Sequence, residues 1–402
     1  MPYVVAGLAT SESLVVPDAM LKDAGVTVIR DRVTGIDSEK KNVTLAGGQV
    51  LSFDKLLLAN GADPVLPPLP GRDLRGVFTL RSTPDAEAML KFVQERKPRS
   101  LTVIGAGFIG LEVGSLLKQV QPDLQVSVVE FLRHPLPVML DADMAAKVAA
   151  YLTEQGMDLR TGVRVTGISG KDGYASGVEL DTGEATAADM VIMSVGAKSN
   201  FDLARQAGLA IGEFGIKVNE YMETSHPDIF AAGDNVENKC LVTGRSMPGQ
   251  LRGTAVCQGR LVAKRLKGAA IPFPGVLNNS CVKLFDLCAA SVGLTEENAK
   301  KQGIKTACFT VDSRSKHGMI KGMKPWTLKV IFNTENRKVI GSQIVSMSEA
   351  MAKEIDVMNM AIKMGAVPED LLTINCAGHP DLSSEPSLEP ISIAGLQASG
   401  KI

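Results

Sequence analysis

Leu101-Thr-Val-Ile-Gly-Ala-Gly-Phe-Ile-Gly-Leu-Glu112 reads as a short apolar strand that runs into a glycine turn and straight on into a helix, with Leu111, Val113, Leu116 and Leu117 at helical spacing. In Gly105-x-Gly107-x-x-Gly110 each glycine has a separate reason to be there. Gly105 permits the tight turn, Gly107 lets a pyrophosphate approach the backbone, and Gly110 lets helix and strand pack closely. The helix start then offers unpaired N–H groups and a positive dipole end to the phosphates, so Phe108 and Ile109 count with the glycines as cofactor-binding residues. A second strand, Val126-Ser-Val-Val-Glu130, ends in an acid 20 residues after Gly110. That acid stands where a carboxylate takes the adenine ribose hydroxyls, so NADH is expected in preference to NADPH.

The 402 residues give room for two or three domains. A hydrophobic content of 45% with 22% charged residues is that of a soluble globular protein. A net charge of −1 gives no basic footprint, so nucleic acid is not an expected partner. No apolar run reaches the length of a membrane span and no signal peptide is evident, which points to the cytoplasm. The six cysteines (Cys240, Cys257, Cys281, Cys288, Cys308 and Cys376) show no metal-finger spacing, and no metal site is expected.

Outward from the turn, the chain reads as follows. Met1-Pro-Tyr-Val-Val-Ala-Gly-Leu8 has no strand before it and leads to a helix near Pro17–Lys22. Val26–Arg30 and Arg32–Asp37 read as strands, and Asn42–Phe53 as a hairpin turning at Gly47-Gly48. Asp54–Gly61 reads as a buried strand ending in a glycine turn, before a proline-rich connection through Pro64, Pro67, Pro68 and Pro70. Thr83–Arg96 is helical, with Asp85 and Glu87 near its start. Beyond Glu130 come a helix at Ala142–Glu154, a strand near Met157–Thr161 and a meander through Val163–Leu180.

Two further strands end in glycine. Asp189-Met-Val-Ile-Met-Ser-Val-Gly196 puts Gly196 either beside the same dinucleotide or in a simple strand-ending turn. Asp228-Ile-Phe-Ala-Ala-Gly-Asp-Asn235 puts Gly233 and Asp234 just past a buried strand, where the carboxylate serves a ligand hydroxyl or phosphate or is a solvated loop aspartate. Gly249–Lys267 is an amphipathic helix stopped by Gly268. After Pro272 and Pro274 the strands are grouped rather than alternating with helices, which marks an α+β unit. Its expected elements are strands at Cys281–Phe285, Ala289–Gly293 and Lys305–Val311, a capped helix at Thr295–Gln302, and a hairpin of Thr327–Asn333 with Lys338–Val345. A long helix at Glu349–Met364 follows, with Met351, Met358, Met360 and Met364 for core or subunit packing.

Taken together and in this order, the junctions resemble the FAD-dependent pyridine nucleotide-disulfide oxidoreductases, in particular the group of NADH oxidases, NADH peroxidases and coenzyme A-disulfide reductases. Gly105–Glu112 resembles that family's NADH motif, and the resemblance places Glu112 near the nicotinamide. Ala59-Asn60-Gly61 is similar to the family's "ATG" turn, with Asn60 for threonine. Thr224 and Asp228–Asp234 resemble its second FAD motif, whose aspartate holds the ribityl-phosphate part of the flavin. Lys283–Asp286, Val292–Thr295 and Leu328–Ile344 are similar to its dimerisation domain.

The resemblance implies an α/β protein with two Rossmann-like nucleotide-binding domains, the FAD domain discontinuous and incomplete, plus a C-terminal α+β dimerisation domain. The implied division is 1–98 and 219–271 for FAD, 99–218 for NAD(H), and 272–402 for dimerisation. It departs from the family at its start, where a strand, a first GxGxxG and a redox cysteine are expected before a Gly-x-Pro-Tyr-like segment. Either the start is assigned at an internal methionine or the natural product is truncated; the first is expected, since a missing central strand leaves a sheet edge unpaired. Cys376, in Asn375-Cys-Ala-Gly-His-Pro380, lies in the segment that in this family reaches the partner's flavin, and His379 matches a histidine or tyrosine there. Ala377 and Gly378 stand where coenzyme A-disulfide reductases tend to carry a tyrosine. A cationic neighbour such as His379 is needed to make Cys376 a thiolate.

The implied activity is hydride transfer from NADH to FAD in a homodimer. Electrons then pass to a small-molecule acceptor, which is a disulfide, polysulfide, peroxide or oxygen. Two rival readings remain: a flavin-free NADH-binding dimer, and a reductase of the rubredoxin or ferredoxin type.

Overall fold

A computed structural model describes residues 1–402. The chain forms two compact units: Met1–Ser11, Leu66–Gly196 and Asn279–Ile402 make one, and Glu12–Val65 with Ala197–Asn278 make the other.

The first unit contains two five-stranded sheets. One is wholly parallel, in the order Val77–Phe78, Met190–Met193, Ser100–Ile104, Gln125–Glu130 and Met157–Thr161. Ser100–Ile104 and Met190–Met193 are buried at every position, which is why they read as unbroken apolar runs rather than alternating ones. The chain order reverses direction on either side of Ser100–Ile104, so the carboxyl end of that strand is a topological switch point. Helix Phe108–Val120 packs back onto the sheet through Leu111, Leu117 and two glycines. A Cβ on Gly114 would come within 3.4 Å of Met157 and reach Val126 at that distance. Helix Thr83–Arg96 starts at a reciprocal cap, Ser82 with Asp85.

The second sheet is antiparallel, in the order Ser280–Leu284, Leu287–Gly293, Val339–Ser346, Pro325–Asn333 and Thr306–Arg314. Its strands share one apolar cluster with the helix after the glycine turn: Leu111 and Leu117 lie with Val282, Leu284, Leu287 and Val345. The expected long helix at Glu349–Met364 is broken into Glu349–Ala352 and Ile355–Met364. At Lys353, Glu354, Asp356 and Val357 the backbone bonds run to the third rather than the fourth preceding carbonyl, which tightens the chain between the two pieces. Met351 and Met358 are buried, whereas Met360 and Met364 are exposed. Helices Pro368–Leu372 and Pro390–Ser399 were not anticipated.

The second unit is lighter. It holds a meander of Val33–Asp37, Asn42–Leu45 and Val50–Ser52, and a two-stranded parallel pair, Leu56–Leu58 with Ile229–Ala231. The buried strand expected over Asp54–Gly61 is therefore short, and Leu57 within it is 40% exposed. The strand expected at Val26–Arg30 does not form: Val26, Val28 and Ile29 are exposed and no strand pairs with them. β-Branched residues favour an extended chain, but only a ladder partner turns it into a strand. Helix Arg252–Leu266 covers the unit's core through Gln258 and Val262. No helix of either unit is long and apolar enough to cross a membrane.

Candidate functional site

In the first unit the three glycines of the turn behave differently. Gly105 has φ +99°, and a Cβ there would stand 2.4 Å from the Ser194 carbonyl oxygen. A Cβ on Gly110 would meet the Gly105 carbonyl oxygen at 2.7 Å and Val103 at 2.8 Å. Both positions are closed by the protein's own backbone. Gly107 is the N-cap of the Phe108–Val120 helix, and a Cβ there would meet nothing nearer than Ser194 at 4.0 Å. No side chain of the cap accepts from the helix's first N–H groups. An anion laid against Gly107 would therefore meet bare backbone donors and the positive end of the helix dipole. That combination fits the pyrophosphate of a dinucleotide.

Glu130, at the end of the adjacent strand, is 8% exposed. One carboxylate oxygen accepts from Ala106 N at 2.7 Å and the other from Leu132 N at 2.7 Å. Glu130 thus organises the glycine turn, and each oxygen keeps lone-pair capacity for a further donor. The Ala106 carbonyl in turn accepts from Leu136 N at 2.9 Å. Both peptide groups of the residue between Gly105 and Gly107 are thus held, one by Glu130 and the other by the segment that follows it. Phe108 is half-buried against the core and Ile109 is 36% exposed. Gly196 has φ +113°, with open space where a side chain would be, and lies two residues past Ser194. Glu112, on the same helix, is half-buried, and burial pushes its carboxyl above the usual carboxylate range.

In the second unit the parallel pair ends in two turns at the same end: Ala59-Asn60-Gly61, with Gly61 at φ +67°, and Gly233-Asp234-Asn235, with Gly233 at φ +89°. Here amide side chains set the geometry. Asn235, fully buried, donates to the Leu58 carbonyl at 3.0 Å and to Asn60 Oδ1 at 2.8 Å. Asn60 and Asn200 each donate to the other's carbonyl, at 2.9 and 3.1 Å. Ser199 Oγ donates to the Asp234 carbonyl at 2.7 Å, and Gly233 N donates to the buried Gln258 at 2.7 Å. The Asn235 side-chain oxygen is buried with no hydrogen-bonding partner in the protein. Two glycine turns, a half-buried carboxylate at Asp234 and an orphaned acceptor fit one flank of a flavin nucleotide. Asn200, Asn235, Ser199 and Gln258 were not singled out from the sequence, where an amide in a polar stretch looks like any loop residue.

Cys376 and His379 lie in the loop before residue 380 of the first unit. The sequence left Cys376 in need of a cation, but its surroundings are of the opposite kind: burial, then Glu389 and Glu354, push its thiol up to about 11. His379 is exposed, and its Nδ1 accepts from Asp381 N at 3.2 Å. Burial also raises Cys288 to about 11 and Cys308 to about 12.

Known proteins give this geometry a context. The profile of the pyridine nucleotide-disulphide oxidoreductases matches residues 8–256, and that of the family's dimerisation domain matches residues 280–389. A protein of Methanocaldococcus jannaschii named NADH oxidase is 35% identical over 100% of this chain and 90% of its own length. A CoA-dependent NAD(P)H sulfur oxidoreductase of Pyrococcus abyssi is 33% identical, over 88% of this chain and 80% of its own. Among solved structures, a NAD-dependent persulfide reductase from A. fulgidus superposes with a TM-score of 0.94 at 35% identity, covering 100% of this chain and 75% of that one. With profiles on both stretches and a 35% identical relative that spans the whole of this chain, the chain belongs to the pyridine nucleotide-disulphide oxidoreductase family.

Proposed function

We propose that this chain is an NADH-dependent flavin oxidoreductase that reduces a disulfide, polysulfide or persulfide, peroxide or oxygen. One observation carries the reading: Gly107 alone of the three glycines faces open space, at the start of a helix whose first donors have no side-chain cap. The backbone around Gly107 would bind the dinucleotide's pyrophosphate, and Gly105 and Gly110 keep strand and helix close enough to form that cradle. Glu130 holds the turn through Ala106 and takes the adenine ribose hydroxyls with its remaining lone pairs, which favours NADH over NADPH. Phe108, Ile109 and Gly196 border the same nucleotide. Glu112, with its raised pKa, holds a proton near the nicotinamide over a wider pH range than an exposed glutamate does.

Asn60, Gly61, Gly233 and Asp234 would hold the FAD, with Ala59 beside them. When bound, that group accepts the hydride and passes electrons singly or in pairs to an acceptor. The dimerisation domain supports a homodimer, and the segment with Cys376 and His379 is the part we assign to the partner's site. In one chain Cys376 is a protonated thiol, so a relay through it requires a cation supplied on assembly. We assign residues 99–218 to NADH, 1–98 and 219–271 to FAD, and 272–402 to dimer contacts.

The thin parallel pair of the second unit favours a second reading, in which the protein binds NADH and no flavin. One experiment separates them. The purified protein is mixed with FAD, passed over a desalting column and titrated anaerobically with NADH. The first reading predicts a yellow protein that bleaches, with the colour lost in Asp234→Ala. A colourless protein that still binds NADH supports the second.

A further inference from the structure

Lys329 lies in the middle of the Pro325–Asn333 strand with only 3% of its side chain exposed. Its ammonium meets three carboxylates: Asp143 at 2.9 and 3.1 Å, Asp141 at 3.2 Å and Glu296 at 3.2 Å. A cation taken out of water at this depth persists only when paired. Burial works to lower its pKa, and the bond it donates to Asp143 with the charges of Asp141 and Asp143 more than offsets that, so Lys329 stays charged.

Asp141 is the second buried member of the cluster, and both oxygens of its carboxylate are engaged. It forms an ion pair with Lys329 and accepts from Gln343 Nε2 at 2.6 Å and from the backbone N–H groups of Glu296 and Glu297 at 3.1 Å each. Its own N–H donates to Gln343 Oε1 at 2.9 Å. Lys329 and Gln343 stand side by side on paired strands of the antiparallel sheet, at directly opposed positions. Asp141, by contrast, ends the segment that begins at Glu130. That segment grips Ala106 on both sides, through the Glu130 carboxylate and Leu136 N. Leu136 is itself buried and held at φ +52°, a conformation a leucine keeps only when its surroundings impose it.

We propose that Lys329 is a positioning residue for the dinucleotide: through Asp141 it fixes residues 131–141, which hold the Gly105–Gly107 backbone in its binding geometry. The antiparallel sheet, which carries no residue of the glycine turn, thereby sets the affinity of that turn. The proposal rests on the dinucleotide reading given above.

The test uses the full chain with three probes, NADH, ADP-ribose and reduced nicotinamide mononucleotide, binding being read by calorimetry. Lys329→Met is expected to weaken NADH and ADP-ribose together by about tenfold, the equivalent of about 1.4 kcal/mol. The mononucleotide, which has no pyrophosphate bridge to adenosine, is expected to bind as it does to the unaltered protein. Lys329→Arg, which keeps the charge at the node, is expected to recover most of the loss, whereas a role in stability alone would shift all three probes or none. If Lys329→Met does not fold, Gln343→Met removes two of Asp141's bonds without stranding a charge, and the same two probes should weaken by about threefold. A folded variant that binds ADP-ribose as the unaltered protein does overturns the proposal and leaves the dinucleotide reading standing. If the unaltered protein binds neither NADH nor ADP-ribose, the dinucleotide reading itself fails.

Discussion

The glycine turn of the first unit and the paired glycine turns of the second stand at equivalent places, past the carboxyl ends of parallel strands, yet they are held by different means. Around Gly105–Gly110 the constraint is space. The flanking strands are fully buried, and the backbone of Ser194 and Gly105 occupies the volume a side chain would need. Around Gly61 and Gly233 the constraint is hydrogen bonding, supplied by Asn60, Asn200, Asn235 and Gln258 over a two-stranded pair that leaves Leu57 exposed. In the first unit the protein's own backbone closes the space at Gly105 and Gly110, whereas in the second the turns are tied by amide side chains from distant parts of the chain.

The contrast breaks if the two turns respond alike to substitution. The largest effect is expected for Gly105→Ala, which places a Cβ 2.4 Å from a carbonyl oxygen at a φ of +99°. A loss of about 3 kcal/mol or more, read by urea unfolding, follows from strain and overpacking together. Gly61→Ala, at φ +67°, should cost about 1 kcal/mol for its left-handed conformation. In the second unit the larger loss belongs to an amide. Asn235→Ala strips bonds from the Leu58 carbonyl and Asn60, for a cost of about 2 kcal/mol. If Gly61→Ala proved the more damaging of the two, the amide account of that unit would be wrong.

Two smaller effects sharpen the comparison through pH. Glu112 has its carboxyl pKa raised by burial, so the folded state holds the proton more tightly than the unfolded chain. Its ionisation costs stability as pH rises above the unfolded value, and below that value the cost is absent. Glu112→Gln is therefore expected to raise the unfolding midpoint at pH 7 and to leave it unchanged in acid. The sign is opposite for Asp228, which hydrogen bonds from Lys41 and Lys55 lower to about 2. That contribution is present above the ordinary value of 3.8 and is lost as pH falls through about 2. Asp228→Asn should lower stability a little at neutral pH and not at all below about pH 2, so that the acid limb of the second unit's unfolding flattens, the smallest effect of the set.

How much the sequence disclosed follows the same division. The parallel sheet, the helix after Gly107 and the antiparallel sheet were legible because buried apolar runs and glycines state their own constraints. Helix Ala142–Glu154 was located to the residue, and the Thr295 cap with it. Val26–Arg30 was misread because four β-branched residues in a row announce a strand whether or not a partner is present. The break after Ala352 carried no proline or glycine to announce it. At the site, Gly105, Gly107 and Gly110 were visible and the second task of Glu130, holding Ala106, was not, since it depends on a contact across the turn. Lys329 was invisible for the same reason: along the chain it is one lysine in a strand, and only folding brings Asp141 and Glu296 to it. Spacing reports local constraint, and partnerships between distant residues leave no mark on it.

The most direct test of the whole account is the dissociation constant of NADH for Gly107→Ala. A Cβ there meets no protein atom closer than 4.0 Å, so the variant should unfold within about 1 kcal/mol of the unaltered protein. On the proposed reading the same methyl group intrudes on the pyrophosphate, and NADH affinity should fall by about tenfold or more, a loss of at least about 1.4 kcal/mol. A folded Gly107→Ala that binds NADH with undiminished affinity would contradict the claim that this turn is where the dinucleotide is held.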